Sequence, residues 1–351
     1  PFVQGGHFRN FLRKYEESNQ LHKRVCWVSE RVEEAARRSG DTAGREFLYR
    51  AQCNDAYWHG VFGGLYLNHL REAAYSNLLR AEEAADRVLH SGKKDWTEAV
   101  KADLDHDGGT EVLLKTSLLT LLAHAHDGGA ITEISLPQRG VALGHVLTRR
   151  EEGYHEKLRK AGGTFDGSTS IHDIIVLKDP SVMQALSVDP WQRASFREAL
   201  YRMDDPVEGI LDETVPPLCA TAGKEARVEI TRGGPRVVLL QHLQLQVEGV
   251  EISFEKALEV NAGEEGFAVR YRLINLGGKR ISGRFVSEWN LNFLSGTGPD
   301  RRYEGIGGDA ALSSRGATSG LREFRIVDGW RNVTVKAKAD REFALLRYPV
   351  E

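Results

Sequence analysis

The stretch Gln52–Leu67, QCNDAYWHGVFGGLYL, holds the densest chemistry in the 351-residue chain. Asp55, Asn54 and His59 can hydrogen-bond sugar hydroxyls, while Tyr57, Trp58 and Phe62 offer flat apolar faces to a pyranose ring. Gly60, Gly63 and Gly64 let the backbone approach closely or take positive φ. A second reading needs no ligand: the aromatics plug a domain interface and Asp55 caps the following helix.

Asp103-Leu104-Asp105-His106-Asp107-Gly108-Gly109-Thr110-Glu111 places oxygens at alternate positions. A D-x-D-x-D-G run suits one hard cation, with Asp103, Asp105, Asp107 and Glu111 as ligands and Gly108 permitting the sharp turn. Leu114 stands where an EF-hand has its bidentate Glu, and strands follow instead of helices. The expectation is a structural calcium, since three uncompensated carboxylates would repel one another. The alternative is a solvated acidic turn.

Other signals are weaker. Glu288, Asn290 and Asn292 alternate along one run and could line a sheet face, though an ordinary exposed strand explains them. His172-Asp173 is a similar polar pair beside an apolar run. His124 and His126 alternate, and no other ligand converges on them in the sequence. There is no G-x-x-x-x-G-K, H-E-x-x-H or G-x-S-x-G motif.

Residues 8–90 read as helices that must position the aromatic loop. Leu21, Val25, Val28, Val32 and Ala35 recur at helical steps, with Gly40 as a stop and Asp41 as a cap for the next helix. Asn68 could cap a third helix. Its apolar stripe is Leu70, Ala74, Leu78, Ala81, Ala85 and Val88, and Arg71, Glu72, Arg80, Glu82, Glu83, Asp86 and Arg87 form a charged opposite side.

Beyond residue 95 the period changes to two. Strands are expected over 111–117, 118–124, 130–136, 141–148, 225–231, 236–247, 251–260, 267–274, 283–294 and 322–338, with glycine pairs at the turns. Residues 150–222 interrupt them as a loop-rich excursion, with a short helix over Trp191–Arg202. The expected architecture is a helical segment, 1–92, followed by a large antiparallel β-sandwich, 93–351.

The net charge of −3 gives no electrostatic reason to bind nucleic acid or an acidic membrane, and no apolar run is long enough to span a bilayer. Cys26, Cys53 and Cys219 make a poor disulfide framework and suit a reducing, cytoplasmic compartment. Homo-oligomerisation is left open. The chain begins within an aromatic helical pattern (Phe8, Phe11, Leu12, Tyr15) and ends just past Phe343-Ala344-Leu345-Leu346. Both ends are therefore expected to be cuts in a longer polypeptide.

The 52–67 motif, followed by His69-Leu70-Arg71, resembles the last signature region of glycoside hydrolase family 57, nearest to its 4-α-glucanotransferases and α-amylases. Phe8-Arg9-Asn10-Phe11, Lys14-Tyr15, Asn19, His22-Lys23 and Val28-Ser29 are similar to the helices preceding that region. The resemblance implies a middle helical domain and a galactose mutarotase-like sandwich. It also implies an α-1,4-glucan or maltooligosaccharide substrate contacted by Asp55 and Trp58, with His59 and Tyr57 as further substrate-binding candidates. The family's catalytic Glu nucleophile and Asp acid/base belong to an amino-terminal (β/α)7 barrel absent from this sequence, which implies that the chain alone is inactive. Two other readings are a stand-alone carbohydrate-binding protein and an aldose epimerase-like sandwich.

Overall fold

The computed structural model describes residues 7–60, 63–156 and 186–350. Its first part is helical: α1 (Phe8–Lys14), α2 (Glu16–Ser39), α3 (Ala43–Ala51) and α4 (Asn68–Leu89). Leu21, Val28 and Val32 of α2 are sealed against Ala74, Leu78, Leu79 and Ala81 of α4. Each such side chain contributes about 1.5–3 kcal/mol on burial. Glu16 and Glu17 occupy the first turn of α2 and Arg37 and Arg38 the last, matching the helix dipole. Gly40 ends α2 at φ 74°, its N–H on the Ala36 carbonyl. Asp41 Oδ1 accepts the Ala43 N–H at 2.8 Å. Asn68 does not cap α4; its side-chain amide donates to the Phe293 carbonyl at 3.1 Å.

The first sheet is antiparallel, in the order β1 (Thr97–Ala102), β2 (Glu111–Thr116), β3 (Thr120–His124), β4 (Ala130–Leu136) and β5 (Val141–Ala142). Strands β2, β3 and β4 are buried along their whole length. Helices cover one face, and the other shares a core with a later sheet. Next come β6 (Arg197–Tyr201), α5 (Val207–Leu211) and β7 (Cys219–Ala220), followed by a second sheet. This is a meander of β8 (Arg227–Gly233), β9 (Arg236–Val247), β10 (Val250–Asn261) and β11 (Phe267–Asn275). Val112, Leu114 and Leu121 of the first sheet meet Val237, Leu239, Leu258 and Val260 of the second. The expected alternation in β9 is present, with Leu243, Leu245 and Val247 inward and Gln244 and Gln246 outward. Strand β12 (Arg284–Glu288) pairs with β6, and a last sheet has β13 (Arg301–Glu304), β14 (Ala310–Ala311), β15 (Gly316–Asp328) and β16 (Val333–Arg347).

Helix-to-strand transition falls between Leu89 and Thr97, and both sides belong to one compact unit reaching to His145 and resuming at Ala194. Residues 146–193 form a second unit. There the Asp189 carboxylate accepts hydrogen bonds from Arg149 and Arg193.

Several expectations need correction. The helix placed over Trp191–Arg202 is irregular chain leading into β6, because Arg197–Tyr201 pairs with β12. The single run over 322–338 is two strands, β15 and β16, turning at Gly329–Asn332. Strand pairing over 141–148 stops at Ala142, and over 283–294 it stops at Glu288. Asn290 and Asn292 are not on an exposed strand. They are buried, with Asn290 Nδ2 donating to the Ala194 carbonyl at 2.9 Å and Asn292 Nδ2 lying 2.9 Å from His145 Nε2.

The charged side of α4 is the largest departure. Arg71, Glu72, Glu82 and Asp86 are buried, not solvated. Glu82 meets Arg24 of α2 at 2.9 Å and Lys115 of β2 at 2.7 Å. Arg24 also pairs with Glu133 of β4 at 2.8 Å. Lys115 reaches Asp86 at 2.5 Å, and Arg31 joins Asp86 to Glu98 of β1. These paired, desolvated charges weld the helices onto the first sheet.

Candidate functional site

Two short 3₁₀ turns, Asn54–Tyr57 and Gly64–Tyr66, build the aromatic loop between α3 and α4. Trp58 links them in an extended conformation, its carbonyl accepting the Leu65 N–H at 2.9 Å. Gly64 sits at φ 57°, where a Cβ would lie 2.2 Å from that carbonyl oxygen. A Cβ at Gly60 would lie 2.8 Å from the indole. Only residues without a side chain let the loop close around Trp58. Ser18 of α2 anchors the turn by donating to the buried Ala56 carbonyl at 2.9 Å.

Asp55, Trp58 and His59 come together on this loop, each partly exposed, beside exposed Asn54. Asp55 Oδ2 accepts the Cys53 thiol at 3.1 Å. Asp55 does not cap α4, whose N-cap position is Leu67. His59 Nδ1 lies 3.1 Å from the Tyr15 hydroxyl, and its ring meets Tyr66 edge-on at 4.7 Å. Tyr57 is half-buried. Its ring packs on the helical core between Phe8 and His22, and burial drives its hydroxyl pKa up. Phe62 and the His172-Asp173 pair lie outside the described residues.

The acidic loop leads into β2. Asp103 Oδ1 and Oδ2 accept the N–H groups of Asp107 and Gly108, and Asp105 Oδ1 also accepts Asp107 N–H. Oxygens of Asp103, Asp105 and Glu111 gather within 4.8 Å of one another. Asp107 stands apart from them: its carboxylate accepts Gly109 N–H at 2.6 Å and faces His126 at 3.4 Å. Burial, then the Glu111 and Asp107 carboxylates, push Asp105 up to about 7. Three gathered oxygen donors whose mutual repulsion a cation would relieve suit a hard divalent ion such as calcium.

Some neighbours have no local signal in the sequence. Tyr15 reaches His59 across 44 positions. His126, whose pairing with His124 was expected to gather no further ligand, faces Glu111, as does His124. Only the strand register, which sets Glu111 opposite His124, could have revealed this.

Comparison with known proteins agrees with this architecture. A family profile described as "Alpha-amylase/4-alpha-glucanotransferase, C-terminal" matches residues 103–351, and the corresponding "middle domain" profile matches residues 6–85. Alpha-amylase 1 of Dictyoglomus thermophilum is 31% identical over 355 residues, covering 100% of this chain and 49% of that protein. The alpha-amylase of Pyrococcus furiosus is 32% identical, covering 100% of this chain and 47% of that protein. The crystal structure of 4-alpha-glucanotransferase from Thermococcus litoralis superposes with a TM-score of 0.74 at 26% identity, covering 99% of this chain and 46% of that one. The chain thus spans about half the length of the relatives it matches. It belongs to the α-amylase/4-α-glucanotransferase family, glycoside hydrolase family 57, and carries that family's middle and C-terminal domains.

Proposed function

We propose that the chain is the substrate-gripping and scaffolding part of a retaining α-1,4-glucan hydrolase or 4-α-glucanotransferase. Asp55 hydrogen-bonds glucose hydroxyls, Trp58 stacks on a pyranose face, and His59, oriented by Tyr15 and Tyr66, completes the contact. Tyr57 holds the loop to the helices. The carrying observation is that Gly60 and Gly64 lie so close to a partly exposed Trp58 that a Cβ would meet its indole at 2.8 Å and its carbonyl oxygen at 2.2 Å, respectively. Such a fixed aromatic beside a carboxylate suits a sugar better than a solvated turn does. The sheets supply a galactose mutarotase-like sandwich beneath the loop, and calcium held by Asp103, Asp105 and Glu111 stiffens the entry to β2. The catalytic carboxylate pair belongs to a (β/α)7 barrel of the same polypeptide, a reading supported by the half-length match to the relatives.

The test is maltooligosaccharide kinetics of the polypeptide containing that barrel, with Trp58→Ala and Asp55→Asn. Both changes should raise KM. Wild-type kinetics in both variants would sink the gripping role.

A further inference from the structure

We propose that Glu111, His124 and His126 form a binding site for a divalent transition metal of the zinc class, sharing Glu111 with the oxygen-lined loop beside it. Strand register carries the first part of the argument. Glu111 opens β2 directly opposite His124, the last residue of β3, and the 3₁₀ turn Ala125–Asp127 brings His126 back over the same carboxylate. Glu111 Oε1 then lies 3.7 Å from His124 Nδ1 and 3.4 Å from His126 Nδ1. The donor atoms of all three residues fall within 4.8 Å of one another.

These separations are too long for ordinary hydrogen bonds, which run about 2.7–3.2 Å. They match donors sharing a small cation. Two ligands about 2.0–2.1 Å from a tetrahedral zinc stand about 3.3 Å apart. Glu111 is fully buried, and its Oε1, like His126 Nδ1, has no hydrogen-bond partner. The other carboxylate oxygen faces the acidic loop and accepts the N–H groups of Leu104 and Asp105, at 2.7 and 3.3 Å. A buried oxygen aimed at two ring nitrogens is costly unless a proton or a cation lies between them.

The outer atoms favour the same reading. His124 Nε2 is held by Thr132 Oγ1 at 2.8 Å, and His126 Nε2 faces Asp107 Oδ2 at 3.4 Å. Engaging His124 Nε2 leaves its Nδ1 lone pair turned inward, the arrangement metal-bound histidines show, and the Asp107 carboxylate draws His126 Nε2 outward electrostatically. Gly109 passes so close that a Cβ there would lie 2.1 Å from His126 Nδ1, so the acidic loop itself seats this ring. Two imidazoles and one carboxylate suit zinc-type ions, whereas calcium takes oxygen alone. A water fills the fourth position. The ion would tie β2, β3 and the acidic loop into one clasp.

Calorimetric titration of the chelator-stripped, dialysed chain with zinc chloride, in excess calcium, tests this. One zinc should bind per chain. His126→Gln and His124→Gln should each weaken binding by roughly tenfold or more, whereas Asp103→Asn, which removes an oxygen of the neighbouring loop, should not. Cobalt substitution should give the intense visible absorption of a four-coordinate ion. No saturable zinc binding would overturn the site, as would unchanged affinity in the double histidine variant; either leaves a plain His126–Glu111 ion pair. Should His124→Gln misfold by circular dichroism, His126→Gln alone decides, because that side chain is one-third exposed.

Discussion

In the proposed grip Trp58 offers one ring to a glucan, and such stacking is worth about 0.5–1.5 kcal/mol, a two- to tenfold effect on affinity. Removing the ring by Trp58→Ala should weaken substrate use by about that factor. Gly64 allows a sharper test because it is buried and has no side chain to offer a substrate. At φ 57°, with a Cβ 2.2 Å from the Trp58 carbonyl oxygen, alanine cannot fit without moving the indole. Gly64→Ala should therefore raise KM at least as much as Trp58→Ala although the ring itself is retained. A variant that folds normally and binds maltooligosaccharide with wild-type affinity would show that the loop's shape does not matter to the sugar. The contiguous part of this site was legible in the sequence, because Asp55, Trp58 and His59 are near neighbours. What orients His59 was not, since the Tyr15 hydroxyl arrives from another helix.

Helix α4 shows how far periodicity carries and where it fails. Its apolar stripe was legible and is buried from Ala74 to Ala85, as are the alternating residues of β9. Its charged side reads locally as a solvated face, yet Glu82 and Asp86 meet Lys115 and Arg24 inside the molecule. No local pattern encodes complementarity between a helix and a strand far along the chain. Lys115→Met should destabilise the fold by about 3–5 kcal/mol, because it strips a cation from two buried carboxylates. Adding Glu82→Gln should recover part of that loss in chemical denaturation, and strictly additive losses would refute the coupling. The same interface sets an acid limit. Burial opposes ionisation of Glu98, but the His90 hydrogen bond and the Arg31 and Lys115 charges outweigh it and hold the carboxyl at about 2, below its usual 4.5. A depressed carboxylate stabilises the fold above its unfolded pKa and ceases to as pH falls through the folded one. Stability should thus drop between about pH 4.5 and 2, and Glu98→Gln should flatten that slope in a pH series of thermal melts.

At the scale of the whole molecule the question is whether these domains can cleave a glucan themselves. Retaining hydrolysis needs two carboxyl groups about 5–5.5 Å apart across the scissile bond, one protonated and one ionised. Several buried acids among the described residues are committed elsewhere: Glu82 and Glu133 to Arg24, Glu198 to Lys256, Asp328 to Arg301 and Arg331. Asp105, raised to about 7 beside Glu111, comes nearest to an acid/base pair. Its partner, however, is fully buried, with one oxygen bound to two backbone N–H groups and the other turned toward His124 and His126, leaving no side from which a sugar could approach. Near the aromatic loop, Asp55 is the only carboxylate the 52–67 motif supplies. Incubated with maltoheptaose, this 351-residue chain should release no reducing ends and form no longer oligomers above the blank. Turnover abolished by Asp55→Asn would move the catalytic pair into these domains and overturn their assignment as grip and scaffold.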